Sequence, residues 1–148
     1  MINDLKDKVL SLKEETISIR RDFHQYPELG MEENRTAKVV AAALSAIGLE
    51  VTTEVGKTGV VGLLRGNGPG KTLMLRADMD ALPIKEENDV PYRSLHDGVM
   101  HACGHDGHMA CLLTAAKILN GYSQNFPGQI KFVFQPGEEG FAGARQMI

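Results

Sequence analysis

The 148-residue sequence predicts an α/β fold, a mixed β-sheet flanked by helices. Two observations carry that reading. Apolar residues recur at helical spacing as far as Ile47, and from Leu49 the texture changes to short runs rich in Val, Thr and Leu. A further apolar helical stretch, Met109 to Leu119, then stands between two strand-like runs, the pattern of a parallel pair joined by a crossover helix.

Ile2, Leu5, Val9, Leu12, Thr16, Ile19 and Phe23 follow one another at steps of three and four, one stripe of an amphipathic helix. The helix is expected to stop before Pro27, which disfavours helical geometry at Tyr26. Val39, Val40, Ala43, Leu44 and Ile47 mark a second helix, with Gly48 as its left-handed stop. Leu49 to Val55 and Gly59 to Leu64 are β-rich runs around a Gly-Lys-Thr turn. Asn67-Gly68-Pro69-Gly70 is a further turn, and Thr72 to Ala77 the next strand. Asp78 to Gly107 is polar and broken by Pro and Gly, which reads as a long functional loop outside the core. Met109 to Leu119 should be a buried helix, with Cys111 part of its packing, and Gln129 to Gln135 a strand closed by Pro136-Gly137. The sheet is expected to be antiparallel in a meander and parallel across the helix. Gly143 to Ile148 begins a helical pattern with neither cap nor second turn, which predicts a piece of a longer chain.

The chain carries 16 Lys and Arg against 19 Asp and Glu, a net charge of −3, with 43% hydrophobic and 24% charged residues. This composition excludes disorder and collagen-like repeats, and the length suits one domain. The acidic balance argues against a nucleic-acid surface, which needs clustered Lys and Arg. Cys103 and Cys111 are too few for a disulfide framework, and no Cys-x-x-Cys supports thiol redox chemistry. Met1 to Asp7 lacks the apolar centre of a secretory signal, and no apolar run reaches the ~20 residues of a membrane span. A soluble, cytoplasmic protein is expected.

Three segments carry chemistry. Gly70-Lys71-Thr72 is not among them: a phosphate-binding loop needs glycine where Arg65 stands, and a helix where a strand follows, so this segment reads as a hairpin turn. The strongest is Met100-His101-Ala102-Cys103-Gly104-His105-Asp106-Gly107-His108, whose thiol, imidazoles and carboxylate are ligands of borderline metals such as zinc. In extended backbone Cys103 and His105 share one side, and His101 has the same parity. His108 falls near the helix start, where it can cap or pack. Glu138-Glu139 follows the last strand, where open α/β sheets place their sites; one carboxylate can bind metal while the other handles protons. Asp78 and Asp80 leave the third strand on one face, where a carboxylate orients a ligand imidazole or sits on the metal.

Together with Arg21-Asp22-Phe23-His24-Gln25-Tyr26-Pro27-Glu28-Leu29-Gly30, these segments resemble the dinuclear-metal amidohydrolases: N-acyl-amino-acid deacylases, hippurate hydrolase and auxin-conjugate hydrolases. His101-Ala102-Cys103-Gly104-His105-Asp106 is highly specific to that branch of the metallopeptidases. The resemblance implies the N-terminal half of a zinc-peptidase-like catalytic domain, spanning 1–148, without the C-terminal part or the inserted lid domain used in dimerisation. It implies Cys103, His105 and Glu139 as metal ligands, Glu138 as general base and Asp80 as the catalytic aspartate that orients a ligand. Asp78 stands where other branches place a metal-binding His. Two divalent ions (Zn, Mn, Co or Ni) would serve a complete site, and the substrate would be an N-acyl amino acid. With three of five expected ligands, the 148 residues alone are expected to have little activity. The competing expectation is a truncated remnant with at most weak metal binding.

Overall fold

The computed structural model describes residues 2–148; the side chain of Ile2, first in the predicted stripe, lies outside the described residues. Four strands, β1 (Glu50–Val55), β2 (Gly59–Arg65), β3 (Thr72–Asp78) and β4 (Gln129–Gln135), form one sheet in the order β1-β2-β4-β3. β2 runs antiparallel to both β1 and β4, and β3 runs parallel to β4. The helices are α1 (Ile2–Ser11), α2 (Lys13–Gln25), α3 (Asn34–Ala46), α4 (His105–Asn120) and the single turn α5 (Gly143–Gln146). This is the expected mixed α/β sheet.

The central strand explains the packing. Ile130, Phe132 and Phe134 alternate along β4 and are buried, and the register sets them beside Leu64, Gly62 and Val60 of β2 and Leu73, Leu75 and Ala77 of β3. Against this face lie Phe23 of α2, Val40 and Leu44 of α3, and Met109, Leu112, Leu113 and Ala116 of α4. Fully burying a phenylalanine side chain contributes about 1.5–3 kcal/mol, so Phe132 and Phe134 alone are a large fraction of a small domain's stability.

Several expectations change. The first stripe is two helices, not one. The Ser11 hydroxyl donates to the Lys8 carbonyl at 2.7 Å, and Leu12 leaves helical geometry at φ −98°, ψ 1°. Such side-chain bonding competes with the helical ladder and ends α1 there. Neither is there a three-strand meander. The α4 crossover inserts β4 between β2 and β3, so the connection from Asn67 to Thr72, with its Gly70-Lys71-Thr72 segment, is not a hairpin turn. It instead bonds to the approach of β4, with Gly66 N–H donating to the Gly128 carbonyl and Gly128 N–H to the Gly68 carbonyl. The long loop is less separate from the core than its polarity suggests, because Met79, Ala81, Glu86 and His101 are buried. Helix α4 starts four residues before Met109, and Cys111 is exposed and not part of the core packing. Among the described residues no helix is long and apolar enough to cross a membrane.

Candidate metal centre

The parallel pair β3–β4 sends both chain exits to one end of the sheet, where open α/β sheets hold their ligands. β3 ends at Asp78 and leads into Asp80; β4 ends at Gln135 and leads into Glu138 and Glu139; α4 begins there at His105. Cys103, His105 and Glu139 converge, with one potential ligand atom from each lying within 4.8 Å of the others. The approach differs from the extended geometry expected. Gly104 adopts φ 93°, ψ 18°, a left-handed conformation that glycine takes without strain, and this turn brings the Cys103 side chain beside the first residue of α4.

Asp80 organises two of the three groups. Its carbonyl oxygen lies 2.8 Å from His105 Nδ1, so that nitrogen carries the proton and Nε2 is left free to face the site. Its carboxylate Oδ2 accepts the Glu139 N–H at 2.8 Å. Burial acts to raise the Asp80 carboxyl. The His105 ring and the Glu139 and Glu138 N–H groups outweigh it and hold the carboxyl below the usual range. The Asp80 carboxylate in turn raises the His105 ring, against burial and with help from Asp78. The Cys103 thiol is pushed up by its hydrogen bond to Glu139, by burial and by the charges of Glu139, Glu138 and Asp78. These anions favour a protonated thiol; a divalent cation among them reverses that preference and releases the proton. Thiolate, imidazole and carboxylate on three separate segments, with the imidazole fixed through its other nitrogen, are a donor set of the kind borderline divalent metals take.

The remaining groups separate into neighbours and supports. Glu138 is exposed, with Oε2 3.9 Å from His105 Nε2. Asp78 places Oδ2 3.4 Å from His105 Nε2 and 3.6 Å from His108 Nδ1. His101 does not join the cluster; it is buried, and neither ring nitrogen has a partner among the described residues. His108 neither caps nor packs in the core, since its side chain is more than half exposed.

Two supports are not legible as functional residues in the sequence. Glu33 is fully buried; its carboxylate accepts the Gly137 N–H at 2.8 Å and the Thr58 hydroxyl, pinning the turn that precedes Glu138 and Glu139. Gly137 has φ +52° there, and a Cβ on it would meet Met31 Cε at 2.7 Å. His24 places Nδ1 2.8 Å from Asp106 and Nε2 3.0 Å from Glu86, tying α2 to the first turn of α4 and to the long loop. Nothing in the sequence distinguishes Glu33 from its neighbour Glu32. His24 stands inside the motif that carries the resemblance, but nothing in its spacing names Asp106 and Glu86 as partners.

The sequence pattern of Peptidase family M20/M25/M40 matches residues 74–148, just over half of the chain and all of the segments above from β3 onward. The chain belongs to peptidase family M20/M25/M40. A hippurate hydrolase from Campylobacter jejuni is 52% identical over 98% of this chain and 37% of its own length. A thermostable carboxypeptidase 1 from Saccharolobus solfataricus is 48% identical over all of this chain and 38% of its own. Among solved structures, YXEP of Bacillus subtilis, a dinuclear metal-binding peptidase of the M20 family, superposes with a TM-score of 0.88 at 40% identity, covering 92% of this chain and 38% of that one. This M20 chain therefore spans less than two-fifths of the length of each relative.

Proposed function

We propose that this chain bears the base and three of the metal ligands of a cytoplasmic hydrolase that removes acyl groups from N-acyl amino acids. What carries the reading is the convergence of Cys103, His105 and Glu139 at the strand exits, with both His105 and the Glu139 backbone held by Asp80. When bound, two divalent ions (Zn, Mn, Co or Ni) supply an acidified water and a Lewis acid for the scissile carbonyl.

The chain's own residues do the rest. Cys103, His105 and Glu139 hold the metal centre. Asp80 fixes the His105 tautomer so that Nε2 presents a lone pair, and its bond to the Glu139 N–H limits how that segment can drift. Glu138 is solvent-accessible and close to His105 Nε2. It takes the proton of the attacking water and later delivers it to the leaving amine. Further ligands and a lid domain used in dimerisation come, on this reading, from the larger part of the protein that the relatives possess.

The test uses a whole protein containing these residues. Glu138→Gln should lower hydrolysis of N-acetyl and N-benzoyl amino acids by about 10²–10⁴-fold, because an amide cannot serve as the base, while metal content stays near the parent's. Cys103→Ala should lose metal. Unchanged turnover in Glu138→Gln, or equal metal loss in both variants, contradicts the division of roles.

A further inference from the structure

We propose that Asp78, His105 and His108 form a second, alternative seat for a divalent ion, one that takes ions preferring nitrogen and oxygen ligands. The proposal rests on the reading above in one respect, that His105 Nε2 is a metal-facing atom.

Geometry is the first ground. Asp78 Oδ2 lies 3.4 Å from His105 Nε2 and 3.6 Å from His108 Nδ1. Both separations are long for a hydrogen bond. Donor atoms ~2.0–2.2 Å from a tetrahedral ion, however, stand about 3.3–3.6 Å apart. Potential ligand atoms from all three residues lie within 4.8 Å of one another. His105 and His108 are three residues apart in the first turn of α4, so both project to one side, with ring centroids 5.5 Å apart and planes 29° from parallel. Two imidazoles and one carboxylate are three protein donors, which leaves coordination open to water on a divalent ion held among them.

The surroundings are the second ground. The Arg76 guanidinium pairs with Asp78 Oδ1 at 2.5 Å, which leaves Oδ2 as the oxygen turned to the two histidines. That orients the carboxylate, and the nearby positive charge also weakens the seat relative to the thiolate-bearing one. A surface cavity of about 460 Å³, lined by Arg76, Asp78, His108, Cys111 and Leu112, opens beside these groups, so water and exchangeable ligands reach an ion held there.

Because Nε2 of His105 has one lone pair, the two seats share it and a single ion occupies one or the other. Ligand softness then decides. Cadmium should settle against Cys103 and Glu139, and manganese against Asp78 and His108.

Mn²⁺ and Cd²⁺ titrations of the purified 148-residue chain separate the seats. Pulsed electron paramagnetic resonance of the Mn²⁺ form should detect two coordinated imidazole nitrogens in the unmodified chain. His108→Ala should leave one nitrogen and weaken Mn²⁺ binding by about tenfold or more, with Cd²⁺ affinity and the thiolate-to-cadmium absorption unchanged. Cys103→Ala should do the reverse. One nitrogen or none in the unmodified chain, or Mn²⁺ binding that follows Cys103 and ignores His108, overturns the second seat. Absence of the thiolate absorption with two nitrogens on manganese would uphold this seat and count against the Cys103 centre.

Discussion

Acidification should expose the cost of burying His101. Its side chain is 3% exposed and neither ring nitrogen has a partner among the described residues. Burial pushes its pKa down to about 4; the His24 and His105 charges act the same way, and Asp106 and Asp80 oppose them without prevailing. In the unfolded chain the ring titrates near 6.5. Between these values the unfolded chain binds a proton that the folded chain refuses, so stability falls as the pH drops from 6.5 toward 4. The gap between 6.5 and about 4 corresponds to roughly 3 kcal/mol, a large share of a typical small domain's stability. Replacing His101 by methionine removes the titration, and because no hydrogen bond is lost it leaves no new unpaired group behind. Urea unfolding of the metal-free chain at several pH values from 7 to 4 measures the effect. The parent should lose about 3 kcal/mol more than His101→Met over that interval. Parallel stability curves for the two proteins would refute the reasoning, since the protonation cost would then lie elsewhere.

Glu33→Ala strands the Gly137 N–H and the Thr58 hydroxyl, at about 1–3 kcal/mol each, whereas Glu33→Gln retains an acceptor; urea unfolding should rank the alanine variant well below the glutamine one. Phe132→Ala, at the fully buried centre of β4, should cost about 3–5 kcal/mol in the same assay. Both cysteines are exposed, but Glu139 raises the Cys103 thiol, so maleimide labelling read by mass spectrometry should find Cys103 slow even without metal and slower still with zinc, while Cys111 stays insensitive to zinc.

What the sequence made legible follows from which signals are local. Helix α3 ends as Gly48 announces, and the alternation of Ile130, Phe132 and Phe134 identifies a strand with one buried face. The site segments were legible as clusters of ligand-type residues, and their meeting follows from strand exits sharing one end of a parallel pair. Strand order was not legible. That β4 separates β2 from β3 is decided by where the α4 crossover lets Phe132 and Phe134 bury, not by either turn sequence. The break at Leu12 was hidden because the three-four spacing runs unbroken across it. Cys111 shows the same limit from the other side: a small apolar residue in an apolar helix reads as core, but Cys111 is exposed beside the open cavity along β3. Glu33 and His24 owe their roles to partners 25 to 104 residues distant, which no local pattern encodes.

Cys103, His105 and Glu139 converge closely enough to hold a divalent ion together. X-ray absorption at the zinc edge of the zinc-loaded chain tests it most directly, because sulfur and nitrogen or oxygen ligands scatter at different distances. One sulfur at ~2.3 Å together with nitrogen and oxygen at ~2.0–2.2 Å is expected, the sulfur lost in Cys103→Ala. A zinc shell of nitrogen and oxygen alone in the unmodified chain would contradict it.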